Sequence, residues 1–274
     1  MDPFKIRDHV ADFESISAAY VEASNAAREA FGAPLQRAYG SHARQTLEVF
    51  GADPSKPGRP VHVFIHGGYW RANRKQDYAF VAHSVLAAGA VLVGLEYPLM
   101  PQMRMAGLIA SVRQGAAYVA EHAQEWGGDG KNITASGHSA GGHLASYLAA
   151  HGPHETEMPR LVRGLLLISG LYDLDPLTQS FLQAEIGLTE DEVDQFSPIG
   201  AQHDPAVKRV LAVGGAETLP FHTQADELQV VLTGQGARTQ RLTTQGHNHM
   251  DVVSALGEPQ SQLGQALRDL IGGA

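Results

Sequence analysis

Cysteine is absent from the 274-residue chain, which excludes disulfides, thiolate metal sites and a cysteine nucleophile. Charge is sparse as well. Lys, Arg, Asp and Glu together make up 18% of the chain and the formal net charge is -9, with no basic stripe to neutralise phosphates, so nucleic acid is not an expected partner. Arg71, Arg74 and Lys75 form the densest basic group and read as a solvated approach to a helix. No apolar run reaches the roughly eighteen residues of a membrane span. The opening MDPFKIRDHVADF carries acidic residues and lacks an apolar core of signal-peptide length. A cytoplasmic protein without a membrane partner is the expectation. No G-x-G-x-x-G follows an early strand, which argues against a dinucleotide enzyme, and the histidines, His151 and His154 included, show neither H-E-x-x-H nor zinc-type spacing. No metal and no organic cofactor is expected.

What is present is the composition of a folded globular protein, 43% hydrophobic and rich in glycine. An Ala-rich helix is predicted over 12–31, with Asp12 as N-cap and Gly32-Ala33-Pro34 as its stop. A strand at 46–50 leads into GADPSKPGRP, turn formers suited to a hairpin or tight loop. Nearly continuous apolar strands follow at 61–65, 90–95, 131–135, 161–168 and 207–213, with a last strand at 238–242. Helices are predicted at 77–88, from Gly142 to about Ala150, at 221–232, and at 252–270 with an interruption near Gly257-Glu258-Pro259. Met105, Leu108, Ile109, Val112, Ala116 and Val119 recur at three- and four-residue steps, one face of a long amphipathic helix. Apolar strands without polar alternation, joined by helices, specify a mostly parallel sheet covered on both faces. The expected architecture is a single α/β domain over 1–274, with the irregular segment 172–202 inserted beyond a strand end, where such sheets place their sites.

Gly137-His138-Ser139-Ala140-Gly141 matches G-x-S-x-G between a strand and a helix. That context makes Ser139 a nucleophile on a sharp turn, while the competing reading is a serine capping the helix. His66-Gly67-Gly68-Tyr69-Trp70 follows a buried strand. Its glycines allow backbone N–H groups to converge on an oxyanion, so Gly68, Tyr69 and Ala140 are the candidate donors. His66 reads as a structural group bonding across that loop. Tyr69, Trp70 and Met100 are candidate pocket residues, with Met103 and Met105 either shaping the same wall or packing the helix.

A serine hydroxyl needs a base and the base an orienting carboxylate, in the chain order serine, acid, histidine. Glu217 sits in the loop after the 207–213 strand. Asp173, Asp226 and Asp251 are less well placed by order or position. The base lies in Gly246-His247-Asn248-His249. His249 is favoured because its loop is long enough to reach back, and His247 is the alternative.

Taken together, HGGYW at 66–70, GHSAGGHLA at 137–145, ISGLYDLDPL at 168–177, GGAE at 214–217 and NHMDVV at 248–253 resemble α/β-hydrolases of the kynurenine formamidase (arylformamidase) type, relatives of the hormone-sensitive-lipase-like esterases. The resemblance covers nearly the whole chain. It implies an α/β-hydrolase fold and a Ser139–Glu217–His249 enzyme that hydrolyses N-formyl or other N-acyl arylamides through an acyl-enzyme. The expected partner is a small aryl amide or ester, and a homodimer is the one association the resemblance suggests. Met250 stands where the family usually has an aromatic after the histidine, Glu217 where many relatives have Asp. Glu96-Tyr97-Pro98-Leu99 departs from the formamidase form Asn-Tyr-Asp-Leu toward the Glu-Tyr-Arg-Leu of esterases. A carboxylesterase of small acyl esters is therefore the first alternative, and a binding protein on a hydrolase fold the second.

Overall fold

The computed structural model describes residues 1–273. Its centre is an eight-stranded sheet in the order β1-β2-β4-β3-β5-β7-β9-β10. The strands are β1 (Leu35–Ala38), β2 (Thr46–Phe50), β3 (Arg59–Ile65), β4 (Val91–Leu95), β5 (Gly128–His138), β7 (Gly164–Ile168), β9 (Lys208–Gly214) and β10 (Thr239–Thr244). From β4 through β10 every neighbouring pair is parallel, whereas β2 is antiparallel to both β1 and β4. A short ladder pairs β6 (Ala150–His151) with β8 (Gln202–His203).

The helices are α1 (Phe13–Phe31), α2 (Ala82–Ala87), α3 (Met105–His122), α4 (Ala140–Ser146), α5 (Gln183–Ile186), α6 (Glu190–Phe196), α7 (Leu219–Gly234) and α8 (Gln262–Gly272). Two core clusters lie on opposite sheet faces. One holds Val63, Leu95, Leu165 and the α3 stripe; the other holds Phe64, Leu92, Leu166 and Leu267 of α8. Alternate strand residues thus face opposite helical layers, the reason the central strands are apolar throughout. All six residues of the predicted α3 stripe are buried. Among the described residues, no helix is long and apolar enough to cross a membrane.

Several sequence expectations are corrected. The turn-rich stretch after β2 is no hairpin, because β4 lies between β2 and β3. β1 escaped detection because Leu-Gln-Arg-Ala has no apolar run and occupies the sheet edge. Asp12 precedes α1 but makes no side-chain capping bond. The segment expected to be helical from residue 77 begins as a 3-10 turn, Lys75–Val81, with Tyr78 off helical geometry. Helix α4 stops at Ser146, short of residue 150. Arginines take the carbonyls beyond it: Arg113 bonds the Tyr147 and Ala150 oxygens, and Arg209 the Ala149 oxygen. Lys75 is buried, its Nζ donating to Thr46 Oγ1 over 2.8 Å, and Arg71 pairs with Glu185 at 2.7 Å; only Arg74 of that group is largely solvated.

Candidate active site

The parallel strands end on one side of the sheet, and the loops leaving β3, β5, β7, β9 and β10 meet there. Ser139 sits between β5 and α4 with φ 55° and ψ -121°, a conformation costing an L-residue about 1–3 kcal/mol. The flanking glycines make that turn possible. A Cβ on Gly137 would lie 2.0 Å from the Gly141 oxygen, and one on Gly141 would lie 2.1 Å from the Ile65 oxygen. Although Ser139 precedes a helix, its side chain makes no capping hydrogen bond. The cap reading therefore fails, and Ser139 lines a cavity of about 600 Å³.

His249 lines the same cavity. Its Nδ1 lies 2.6 Å from Glu217 Oε2, with the histidine side chain 4% exposed and the glutamate fully buried. The other carboxylate oxygen, Oε1, accepts from Ser169 Oγ at 2.5 Å and from the Gly214 N–H at 2.6 Å. Those two donors fix the longer glutamate arm so that Oε2 faces the imidazole. Because a carboxylate accepts, His249 Nδ1 carries the hydrogen and Nε2 is left as the basic nitrogen. The ring lies between Phe221, 4.2 Å away centroid to centroid, and His138 at 4.9 Å.

His138 bonds the His249 carbonyl through Nε2 at 2.8 Å, so Nε2 donates. Burial, and secondarily the neighbouring His249, push His138 well below the ordinary histidine range. It therefore stays neutral and does not compete for the proton His249 would handle. His247 lies apart, its Nδ1 against the Gln245 carbonyl at 3.2 Å, and does not line the cavity. The alternative carboxylates are engaged elsewhere. Asp226 pairs with Arg241, Asp251 accepts from the Asn248 N–H, and Asp173 from the Asp175 N–H.

The loop after β3 carries Gly68, Tyr69, Trp70 and Asn73 at positive φ. Gly68 and Tyr69 border the cavity beside Ser139, and Ala140 follows Ser139 directly. Among the described residues, the N–H groups of Gly68, Tyr69 and Ala140 donate to no backbone or side-chain acceptor. Tyr69 lies on the cavity wall, its hydroxyl donating to the Phe4 carbonyl at 2.5 Å. Trp70 and Met100 were not. Trp70 is fully buried, its Nε1 donating to His143 Nδ1, and Met100 is buried against it with its N–H on the Trp70 carbonyl. Both belong to the core, which tolerates so large an indole because His143 satisfies its N–H.

Sequence reasoning missed the segment 2–10. Lys5, Ile6 and Arg7 line the cavity, as do Phe13 and Tyr20 of α1. Phe4 packs edge-on against Phe221, and Thr218, next to Glu217, donates to the Pro3 carbonyl. Apolar Phe4, Ile6 and Val10, set among charged residues, were the available sign of burial. The segment 172–202 contributes Phe181 and Glu185 to the wall. Ser169 was inside a quoted motif, but nothing in its letters pointed to Glu217. Among the described residues, no group of three or more His, Asp or Glu side chains is arranged to hold a metal ion.

A mostly parallel eight-stranded sheet with a strained serine turn and a buried His–Glu pair at its strand ends defines an α/β-hydrolase. The BD-FAE family model matches residues 47–240, and the chain belongs to that family. Kynurenine formamidase of Danio rerio is 25% identical over 239 residues, covering 85% of this chain and 80% of its own. Isoprenylcysteine alpha-carbonyl methylesterase of Arabidopsis thaliana is 25% identical over 241 residues, covering 78% and 56%. A hyperthermophilic esterase from Pyrobaculum calidifontis has the same fold, with TM-score 0.73 and 17% identity over 96% of this chain and 94% of its own. The protein is an acyl hydrolase, related to enzymes that act on amides and esters.

Proposed function

We propose that the protein hydrolyses N-formyl or N-acyl arylamides, N-formylkynurenine-like compounds among them, through a Ser139–Glu217–His249 triad. The observation that carries this reading is the buried 2.6 Å His249–Glu217 contact in a cavity shared with a strained Ser139. His249 Nε2 takes the hydroxyl proton as Ser139 Oγ bonds the acyl carbon. The Gly68, Tyr69 and Ala140 N–H groups stabilise the resulting oxyanion, typically the largest electrostatic contribution in such reactions. His249 then gives its proton to the departing amine nitrogen as the C–N bond breaks. Water, deprotonated by His249, releases the acid and restores Ser139.

The aryl preference rests on the aromatic wall of Phe13, Tyr69 and Phe181, the last two edge to face at 5.9 Å, and on the formamidase relatives. The esterase alternative rests on the Glu96-Tyr97-Pro98-Leu99 form and the methylesterase relative. The deciding measurement is kcat/KM on formyl anilides and matched aryl formates and acetates. Efficient anilide turnover supports the proposal, and ester turnover with negligible anilide cleavage overturns it. Ser139→Ala should abolish both turnover and fluorophosphonate labelling. Retained hydrolysis in that variant would refute the triad.

A further inference from the structure

A second buried histidine–glutamate pair lies beneath the loop that carries the proposed oxyanion donors. His66, fully buried at the end of β3, sits with Nδ1 2.7 Å from the Gly67 carbonyl and Nε2 2.8 Å from Glu96 Oε1. A carbonyl only accepts. Glu96 accepts from three further donors: Oε1 also receives Arg44 at 2.6 Å and the Tyr97 N–H at 3.1 Å, and Oε2 the Lys75 N–H at 3.1 Å. It is therefore a carboxylate, and also only accepts. A bare ring nitrogen facing either oxygen at these distances would place two lone pairs against each other. Both nitrogens must carry hydrogen.

From this geometry we infer that His66 is held as an imidazolium and strengthens the proposed oxyanion site through the Gly67–Gly68 peptide. The peptide whose carbonyl takes the charged donor is the one whose N–H belongs to Gly68. Hydrogen bonds in a chain polarise one another in a low-dielectric interior, so a cationic donor on the carbonyl makes that N–H a stronger donor at its other end. His66 is a positioning residue here, since it touches no substrate atom.

The surroundings fit a buried cation. Tyr97 stacks on the ring at 4.4 Å and 15°, and Tyr78 stacks at 6.1 Å, faces that favour positive charge. Burial, with the nearby Glu96 charge in the case of Tyr97, raises both phenols, so neither becomes a competing anion. Arg44 shares Glu96, and Lys75 is the other cation nearby, lowered by its burial. The Tyr97 hydroxyl donates to the His66 carbonyl at 2.9 Å, fixing the loop from a second side.

The catalytic half of this inference rests on the proposed function; the charge state does not. The test is nitrogen-15 NMR of the histidine-labelled full chain at about pH 8, where an ordinary imidazole is neutral. The His66 signals are assigned by their loss in His66→Gln or, if that variant does not fold, by their displacement in Tyr97→Phe. Two protonated ring nitrogens are expected, and one bare nitrogen would overturn the proposal. In Glu96→Gln the ring should become neutral. Affinity for a trifluoromethyl ketone, which forms an oxyanion on Ser139, should fall about 10-fold while affinity for a ketone-free substrate analogue stays unchanged. Equal losses for the two ligands would overturn the polarisation. If Ser139→Ala kept full turnover, the triad and the oxyanion role would fall together, with the NMR result still deciding the charge. If Ser139 labels normally but His66 is neutral, this inference fails alone.

Discussion

The two buried histidine–glutamate pairs, His249–Glu217 and His66–Glu96, differ little in contact distance, 2.6 Å against 2.8 Å. They differ in what the second ring nitrogen meets. For His66 it meets a carbonyl, and both hydrogens are committed. His249 lines the cavity with Ser139, and among the described residues its Nε2 takes no hydrogen-bond partner. Burial and a carboxylate partner therefore do not by themselves make a general base; the role proposed for His249 needs an uncommitted nitrogen as well. The sequence shows both histidines in glycine-containing loops that follow strands, and the placement of the far nitrogen separates the roles proposed for them.

The largest expected effect tests that contrast directly. His249→Gln should lower kcat on the order of 10⁶-fold, against about 10-fold for His66→Gln. Similar losses in steady-state assays of the two variants would erase the distinction. Next, Glu217→Gln should cost about 10³–10⁴-fold in kcat with little change in KM, since the amide no longer selects the tautomer with Nδ1 protonated. A loss appearing mainly in KM would place Glu217 in substrate binding.

Ser169→Ala removes one of the two donors on Glu217 Oε1, and about a 10-fold fall in kcat is expected, since orienting groups behind a catalytic pair are worth about that much. An unaltered kcat in Ser169→Ala would remove Ser169 from the site.

The smallest effect concerns stability and pH at the other pair. Burial alone would raise the Glu96 carboxyl, but the His66 hydrogen bond, the His66 and Arg44 charges and the Lys75 N–H outweigh it. Its pKa is held below the ordinary 4.5. A carboxylate depressed in the folded state contributes stability above its unfolded value and loses it as pH falls through the folded one. The Tm gap between the native chain and Glu96→Gln should therefore be full near neutrality and close as pH drops below about 4.5. A gap independent of pH would mean that packing, not ionisation, gives Glu96 its value.

Much of the fold was legible because its determinants are local. The 105–122 helix follows from its apolar periodicity, and the central strands from apolar runs too continuous for a half-exposed sheet. Less was legible where long-range packing overrides propensity. Edge strand β1 is polar, α4 ends where Arg113 and Arg209 capture its following carbonyls, and the 3-10 turn at 75–81 yields to the burial of Tyr78. In the site, Ser139, Glu217 and His249 were named from motif and order. Trp70 and Met100 were misplaced because neither an aromatic after a glycine turn nor a methionine between prolines carries a mark of which way it faces.

The sequence by itself determined the parallel sheet and the glycine-flanked serine turn, both encoded in residues close together in the chain, and the order in which the candidate serine, glutamate and histidine occur. Tertiary structure decided which carboxylate each histidine meets, since Glu96 and Glu217 lie 30 and 32 residues from His66 and His249. It also decided that Ser169 holds Glu217 and that segment 2–10 walls the cavity. Those are meetings of distant surfaces, and chain folding fixes them only when both are buried together.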